Sequence, residues 1–348
     1  MTPGHTPMAG NDYLGLARDP RLAEALSRAA VIHGISSTSS RWALGWTALH
    51  QELEDALAAC TGLGAACITG AAYFGGAIYY SLFAGSGRTV YCDAMVHSNQ
   101  FLGMRAAGLE IRTFRHLDVD DLRRQLAAHS GPPPIIACDG VYGISGELAP
   151  LAELAVAARA VGAEFFVDDA HGFGALGAAG KGSVELCGLA PDPALTVLCS
   201  MSKAMGCGGG FLVGRSELID RCRHSAAASG SAIPPPPIAA ACLTSLRIVQ
   251  AEPQRRERLQ ANARRMRQAL AGRGIGVVST ATPILGMVFA DEHAAAAASR
   301  HFAAHAIAIP YFKYASEPRE NLLRGIARAD YTESELQRFE AAVAGLTP

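Results

Sequence analysis

Seven short apolar runs constrain this chain more than any other feature of it. They are Ala65–Thr69, Thr89–Cys92, Glu110–Phe114, Ile135–Asp139, Glu164–Asp168, Leu195–Cys199 and Gly210–Val213. Each reads as a strand, apolar throughout, as strands covered on both faces are. Helical spacing fills the intervals, as in Leu151–Val161, where Leu154, Ala155 and Ala158 share a face. Arg21–His33 and His50–Cys60 have the same spacing upstream, with the Gly/Ser-rich loop 34–41 between them. This alternation predicts an α/β fold with a mainly parallel central sheet and helices on both faces. Pro234-Pro235-Pro236-Pro237 breaks the pattern, and a long helix over about 239–273 is expected to lead into a smaller α+β region. The expected division is an N-terminal segment 1–33, a large domain 34–238, and a linking helix with a small C-terminal domain 239–348. At 348 residues, half of them hydrophobic, the chain has enough apolar material for such a core.

Charge and cysteines narrow the function class. The net charge is −1, which gives no electrostatic case for nucleic acid or an anionic membrane. The arginines between 255 and 267 are interrupted by Glu257 and Gln260 and read as a solvated helix face. The nine cysteines include no CxxC pair. They fit reduced, buried thiols of a cytoplasmic protein, and no metal is expected. Met1-Thr2-Pro3-Gly4-His5 has neither the basic nor the apolar region of a secretory signal. No stretch is long and apolar enough to span a bilayer, and glycines interrupt the nearest, 64–84.

The chemistry concentrates around one lysine. Lys203 follows the run Leu195–Cys199, and Asp168 and His171 lie at the end of the preceding run. The 35 residues from Asp168 to Lys203 are about one strand–crossover–strand unit. An acid, an imidazole and an amine therefore emerge at one sheet edge. Pyridoxal phosphate (PLP) chemistry requires that trio: a lysine to carry the cofactor as a Schiff base, and an acid to keep the ring nitrogen protonated. His171 would donate to the phenolic oxygen, and Ser200 would reach the phosphate. Most lysines are solvated, but Met201, Met205 and the glycines after Met205 surround this one. A buried lysine has a depressed pKa and a chemical purpose. Gly172-Phe173-Gly174-Ala175-Leu176-Gly177 fits a dinucleotide-binding glycine pattern, yet Ala178–Gly182 is too glycine-rich to open the required helix. The next strand also lacks the required acid.

Along its length the chain resembles the α-oxoamine synthases, a branch of the fold-type I PLP enzymes. The similar motifs occur in the family's order: Asn11-Asp12-Tyr13-Leu14-Gly15-Leu16; Ser40-Arg41 with Gly45, His50, Leu53 and Glu54; Asp93 with His97-Ser98; Asp139-Gly140-Val141-Tyr142 with Gly146, Pro150 and Leu151; Val167-Asp168-Asp169-Ala170-His171; Ser200-Met201-Ser202-Lys203; and Leu323-Arg324-Gly325-Ile326. The resemblance implies that Lys203 is also the Cα base and that His97 stacks on the cofactor ring and donates to a substrate carbonyl. It implies that Gly70 and Ala71 cradle the phosphate, and that Arg324, aided by Asn11, grips the amino acid carboxylate. It implies a homodimer with shared sites, to which Ser231 of one subunit adds a phosphate contact. The implied reaction condenses an α-amino acid with an acyl thioester, on coenzyme A or a carrier protein, to an α-oxoamine, with or without decarboxylation. An aldol-, Mannich- or replacement-type reaction with another electrophile is an alternative, and a non-catalytic partner subunit is another. The chain departs from the family at Ser36 and Ser39, where glycines are usual, at Ala71, at Asp139 in place of Glu, and at Gly143 in place of a serine.

Overall fold

A computed structural model describes residues 4–189, 191–230, 233–279, 281–314 and 317–346. Its strands are β1 (Thr6–Pro7), β2 (Ala65–Thr69), β3 (Thr89–Asp93), β4 (Glu110–Phe114), β5 (Ile135–Asp139), β6 (Glu164–Asp168), β7 (Leu195–Ser200), β8 (Gly210–Gly214), β9 (Gly276–Val277), β10 (Ile284–Val288), β11 (Ile307–Ala308) and β12 (Leu322–Ile326). The seven predicted runs form one sheet in the order β2-β8-β7-β6-β5-β3-β4. β8 is antiparallel to both neighbours, and the other pairs are parallel. Successive residues alternate between two cores. Ile136, Cys138, Val167 and Val197 pack on one face, and Ile135, Ala137, Phe166 and Leu198 on the other. Helices cover both faces, which is why the runs carry so few polar residues. β4 differs: at the sheet edge its Glu110, Arg112 and Thr113 are exposed and only Phe114 is buried.

Six of these strands run the same way, so Thr69, Asp93, Phe114, Asp139, Asp168 and Ser200 end at one edge. Ligands of open α/β sheets bind at such carboxyl ends. Among the described residues the crossover from β6 to β7 holds one short helix, Ser183–Leu186. Ahead of it lies a glycine turn in which Gly174, Gly177, Gly180 and Gly182 all have positive φ. Side chains at Gly172 and Gly182 would collide with the buried Asp169 carboxylate, whose Oδ2 accepts from the Ser183 amide at 2.9 Å. The glycines that resembled a nucleotide loop therefore wrap a carboxylate of the chain itself.

The expected single helix over 239–273 is two helices, Pro236–Ala251 and Gln254–Ala271. Pro253 has no amide hydrogen to continue the first helix, and the chain restarts after it. Beyond, β12, β10 and β9 form a small antiparallel sheet. The N-terminus is woven into this region. β1 pairs with β11, and the Met8 carbonyl accepts from the Ile326 amide at 2.7 Å. Asn11 and Tyr13 are thereby laid beside Arg324. The loop 34–41 ends at Arg41, whose guanidinium forms a buried, two-pronged pair with Glu54 at 2.7 and 3.0 Å. Among the described residues no helix is long and apolar enough to cross a membrane.

Candidate active site

Lys203, Asp168, Asp139 and His97 converge because their strands end side by side. β5 and β6 pair Asp139 with Asp168, β7 carries the chain into Lys203, and His97 caps the helix Ser98–Ala106 after β3. Two adjoining cavities open there, of about 380 and 240 Å³, and His97, Asp139, Gly143, His171 and Lys203 line both. The larger reaches Asn11 and Arg324; the smaller reaches Ala71, Asp168 and Ser200.

Lys203 is half-buried on this wall, and among the described residues no carboxylate lies at salt-bridge distance from it. Burial pushes its amine down to about 8; Asp168 opposes the shift and Arg324 adds to it. The Asp168 carboxyl is raised by burial, against the pull of Lys203. Its Oδ1 accepts from the Ala170 amide at 3.1 Å, and among the described residues Oδ2 has only Gln100 Nε2 at 3.4 Å. Asp139 beside it is pushed well above the usual carboxylate range, by burial first and by Asp168 second. One Asp139 oxygen accepts from the His97 amide at 3.1 Å, and the other is buried with no partner among the described residues.

His171 lies across the cavity. Burial drives its pKa well below the ordinary value, and Lys203, Arg324 and His97 push the same way, so the ring is neutral near pH 7. Its Nδ1 is 2.8 Å from the Tyr13 hydroxyl. Arg324, on β12, donates to the carbonyls of Gly143 and Ala9 and to Asn11 Oδ1. His97 projects into the cavity, with Nδ1 2.8 Å from Asn99 Oδ1 and its ring edge-on to Tyr73. Ser200 is buried and shares a hydrogen bond with Ser202 at 2.9 Å.

Of the residues expected from the sequence, Lys203, Asp168, His171, His97, Ser200, Ala71, Arg324 and Asn11 line these cavities. Gly70 is exposed and lines neither; Ala71, one residue on, is the backbone that reaches the site. Ser231 lies outside the described residues. Gln100 and Tyr13 were missed as site residues. Gln100 sits three residues after His97, one helical turn on, and Tyr13 belongs to the same motif as Asn11.

These residues fit pyridoxal phosphate. The half-satisfied Asp168 carboxylate suits a pyridinium N–H, and Asp139, with one oxygen unpartnered among the described residues, adds a second carboxyl to the same wall. The depressed Lys203 amine suits attack on an aldehyde. Comparison with known proteins decides the family. The sequence profile of aminotransferase class I and II matches residues 4–343. An 8-amino-7-oxononanoate synthase of Alkalilimnicola ehrlichii is 38% identical over 291 residues, 83% of this chain and 74% of that one. The chain belongs to the α-oxoamine synthase branch of the aminotransferase class I and II family. The 8-amino-7-oxononanoate synthase of Methylococcus capsulatus is likewise 38% identical, over 83% of this chain and 75% of its own. Among solved structures, serine palmitoyltransferase from S. paucimobilis, with a PLP–myriocin adduct bound, superposes with a TM-score of 0.90. It is 28% identical over 97% of this chain and 87% of its own. Family, fold and cavity agree on a PLP-dependent transferase of fold type I.

Proposed function

We propose that this enzyme condenses an α-amino acid with an acyl thioester to give an α-oxoamine. The observation that carries the reading is a pair of adjoining cavities walled by an amine, a buried carboxylate, an imidazole and a guanidinium fork. The names of its relatives support it. When bound, PLP supplies an electron sink for negative charge at the amino acid Cα. Lys203 would hold it covalently, Asp168 its ring nitrogen, His171 its phenolic oxygen, His97 its ring face, and Ser200 with the Ala71 backbone its phosphate.

The chain's own residues then divide the work. Arg324, held open by Asn11 and two carbonyls, receives the substrate carboxylate as a planar fork. Asp168 remains charged once a cation faces it, and it keeps a proton on that partner. The Lys203 amine, neutral in good part near pH 8, takes the Cα proton. His97, at the open side of the cavity, donates to the thioester carbonyl oxygen as charge develops there.

A homodimer completes the reading. Val31, Ile32, Ile35 and Leu44 are 74–88% exposed, next to the loop 34–41, and Tyr73 and Phe74 are exposed beside the cavity. Apolar surface of this extent is usually covered by a partner. A second copy seated there would close the site.

Thiol release from a panel of acyl thioesters, with and without each amino acid, tests the function. Release that needs both substrates supports the proposal. Turnover that needs an aldehyde or imine and frees no thiol contradicts it and favours aldol or Mannich chemistry.

A further inference from the structure

Tyr13 is fully buried, and its hydroxyl faces a site residue. Its oxygen is 2.8 Å from His171 Nδ1. We propose that Tyr13 is a positioning residue that fixes the proton of His171 on Nε2.

A phenol has one hydrogen and, once buried, needs an acceptor for it. Among the described residues His171 Nδ1 is the acceptor that faces it. Nδ1 is then bare, and the neutral ring carries its hydrogen on Nε2. The opposite polarity, with His171 Nδ1 donating, would leave the phenolic hydrogen buried without an acceptor, which is costly. Burial also pushes the Tyr13 phenol up to about 12, so it keeps this hydrogen at neutral pH.

Gly143 completes the arrangement. A Cβ built on Gly143 would fall on His171 Nε2, and the Gly143 carbonyl accepts from Arg324 Nε. The absence of a side chain at position 143 gives the imidazole its space, with His171 Nε2 facing that side of the cavity. The functional meaning of this rests on the proposed PLP reaction; the tautomer itself does not.

The test is an imidazole nitrogen spectrum of the holoenzyme labelled with ¹⁵N-histidine, with the His171 signals assigned by their loss in His171→Asn. The expected wild-type pattern is a protonated Nε2 coupled to both ring protons and a bare Nδ1. Tyr13→Phe keeps the ring and removes the hydroxyl. It is expected to lose the single Nε2–H pattern and to give a mixture of tautomers. A wild-type His171 protonated on Nδ1, or a Tyr13→Phe protein with the wild-type tautomer, overturns the inference. The wild-type spectrum decides even if the variant does not fold. Absence of thiol release beside an Nε2–H His171 would sink the acyltransferase reading and leave this one standing.

Discussion

Asp139, Asp168, Ser200 and Lys203 reach the cavity from the ends of three strands that lie side by side, whereas Asn11 and Arg324 meet across 313 residues of chain. The first group is placed by the ladder hydrogen bonds of a sheet buried on both faces. The second is placed by short strands, β1 against β11, and by side-chain hydrogen bonds to single carbonyls. A sheet edge fixes distances that the chemistry needs to keep constant. A strap of side chains can adjust to whichever amino acid enters. The sheet edge is therefore expected to govern cofactor chemistry and the strap to govern substrate affinity.

Lys203→Ala strikes the sheet edge hardest. Turnover is expected to fall by about 10⁴-fold or more, since one group is both anchor and base, with the melting temperature nearly unchanged. Retained turnover within tenfold would remove Lys203 from the chemistry. Asp168→Asn keeps the shape and removes the charge. It is expected to lower kcat by about 10²–10³-fold while leaving the amino acid KM within a few-fold. A rise in KM with kcat unchanged would move Asp168 to substrate binding. Arg324→Ala breaks the strap. The amino acid KM is expected to rise by about 10–100-fold, from the loss of hydrogen bonds to a charged group, with the thioester KM unchanged. If cofactor affinity fell by the same factor, the two regions would not be separable.

The smallest effect is one of pH. The Lys203 amine titrates near 8, lowered by burial, so its reactive neutral form grows as pH rises. The rate at which cofactor-free protein captures PLP is expected to rise about tenfold from pH 7 to 9 and then level off. A rate still climbing steeply above pH 10 would indicate an ordinary, solvated lysine.

The same division explains what could be read in the sequence. The ends of β3, β7 and β8 fall one residue beyond the runs seen in the sequence, at Asp93, Ser200 and Gly214. Buried strands announce themselves by continuous apolar character, and the Asp168–Lys203 spacing followed from topology. The exposed face of β4 was not anticipated, because an edge strand has only one face to bury. The break at Pro253 was hidden by helical spacing on both sides, with Ile248 and Val249 before it and Leu259 after it. Arg41 and Glu54 stood out only as a family motif. Their role is a buried ion pair that tethers the loop 34–41, with Glu54 Oε1 also accepting from the Ile68 amide. The Tyr13–His171 contact spans 158 residues and leaves no trace in local pattern. Side-chain contacts between distant segments are set by tertiary packing, which periodicity does not encode.

The central claim is that the cofactor is held where the sheet edge meets Lys203. Borohydride reduction of the holoenzyme, followed by peptide mass mapping, tests it most directly. The account predicts one added pyridoxyl phosphate mass per chain, on the peptide containing Lys203, and none in Lys203→Ala. A label on another lysine, or no covalent label in protein saturated with PLP, would contradict it.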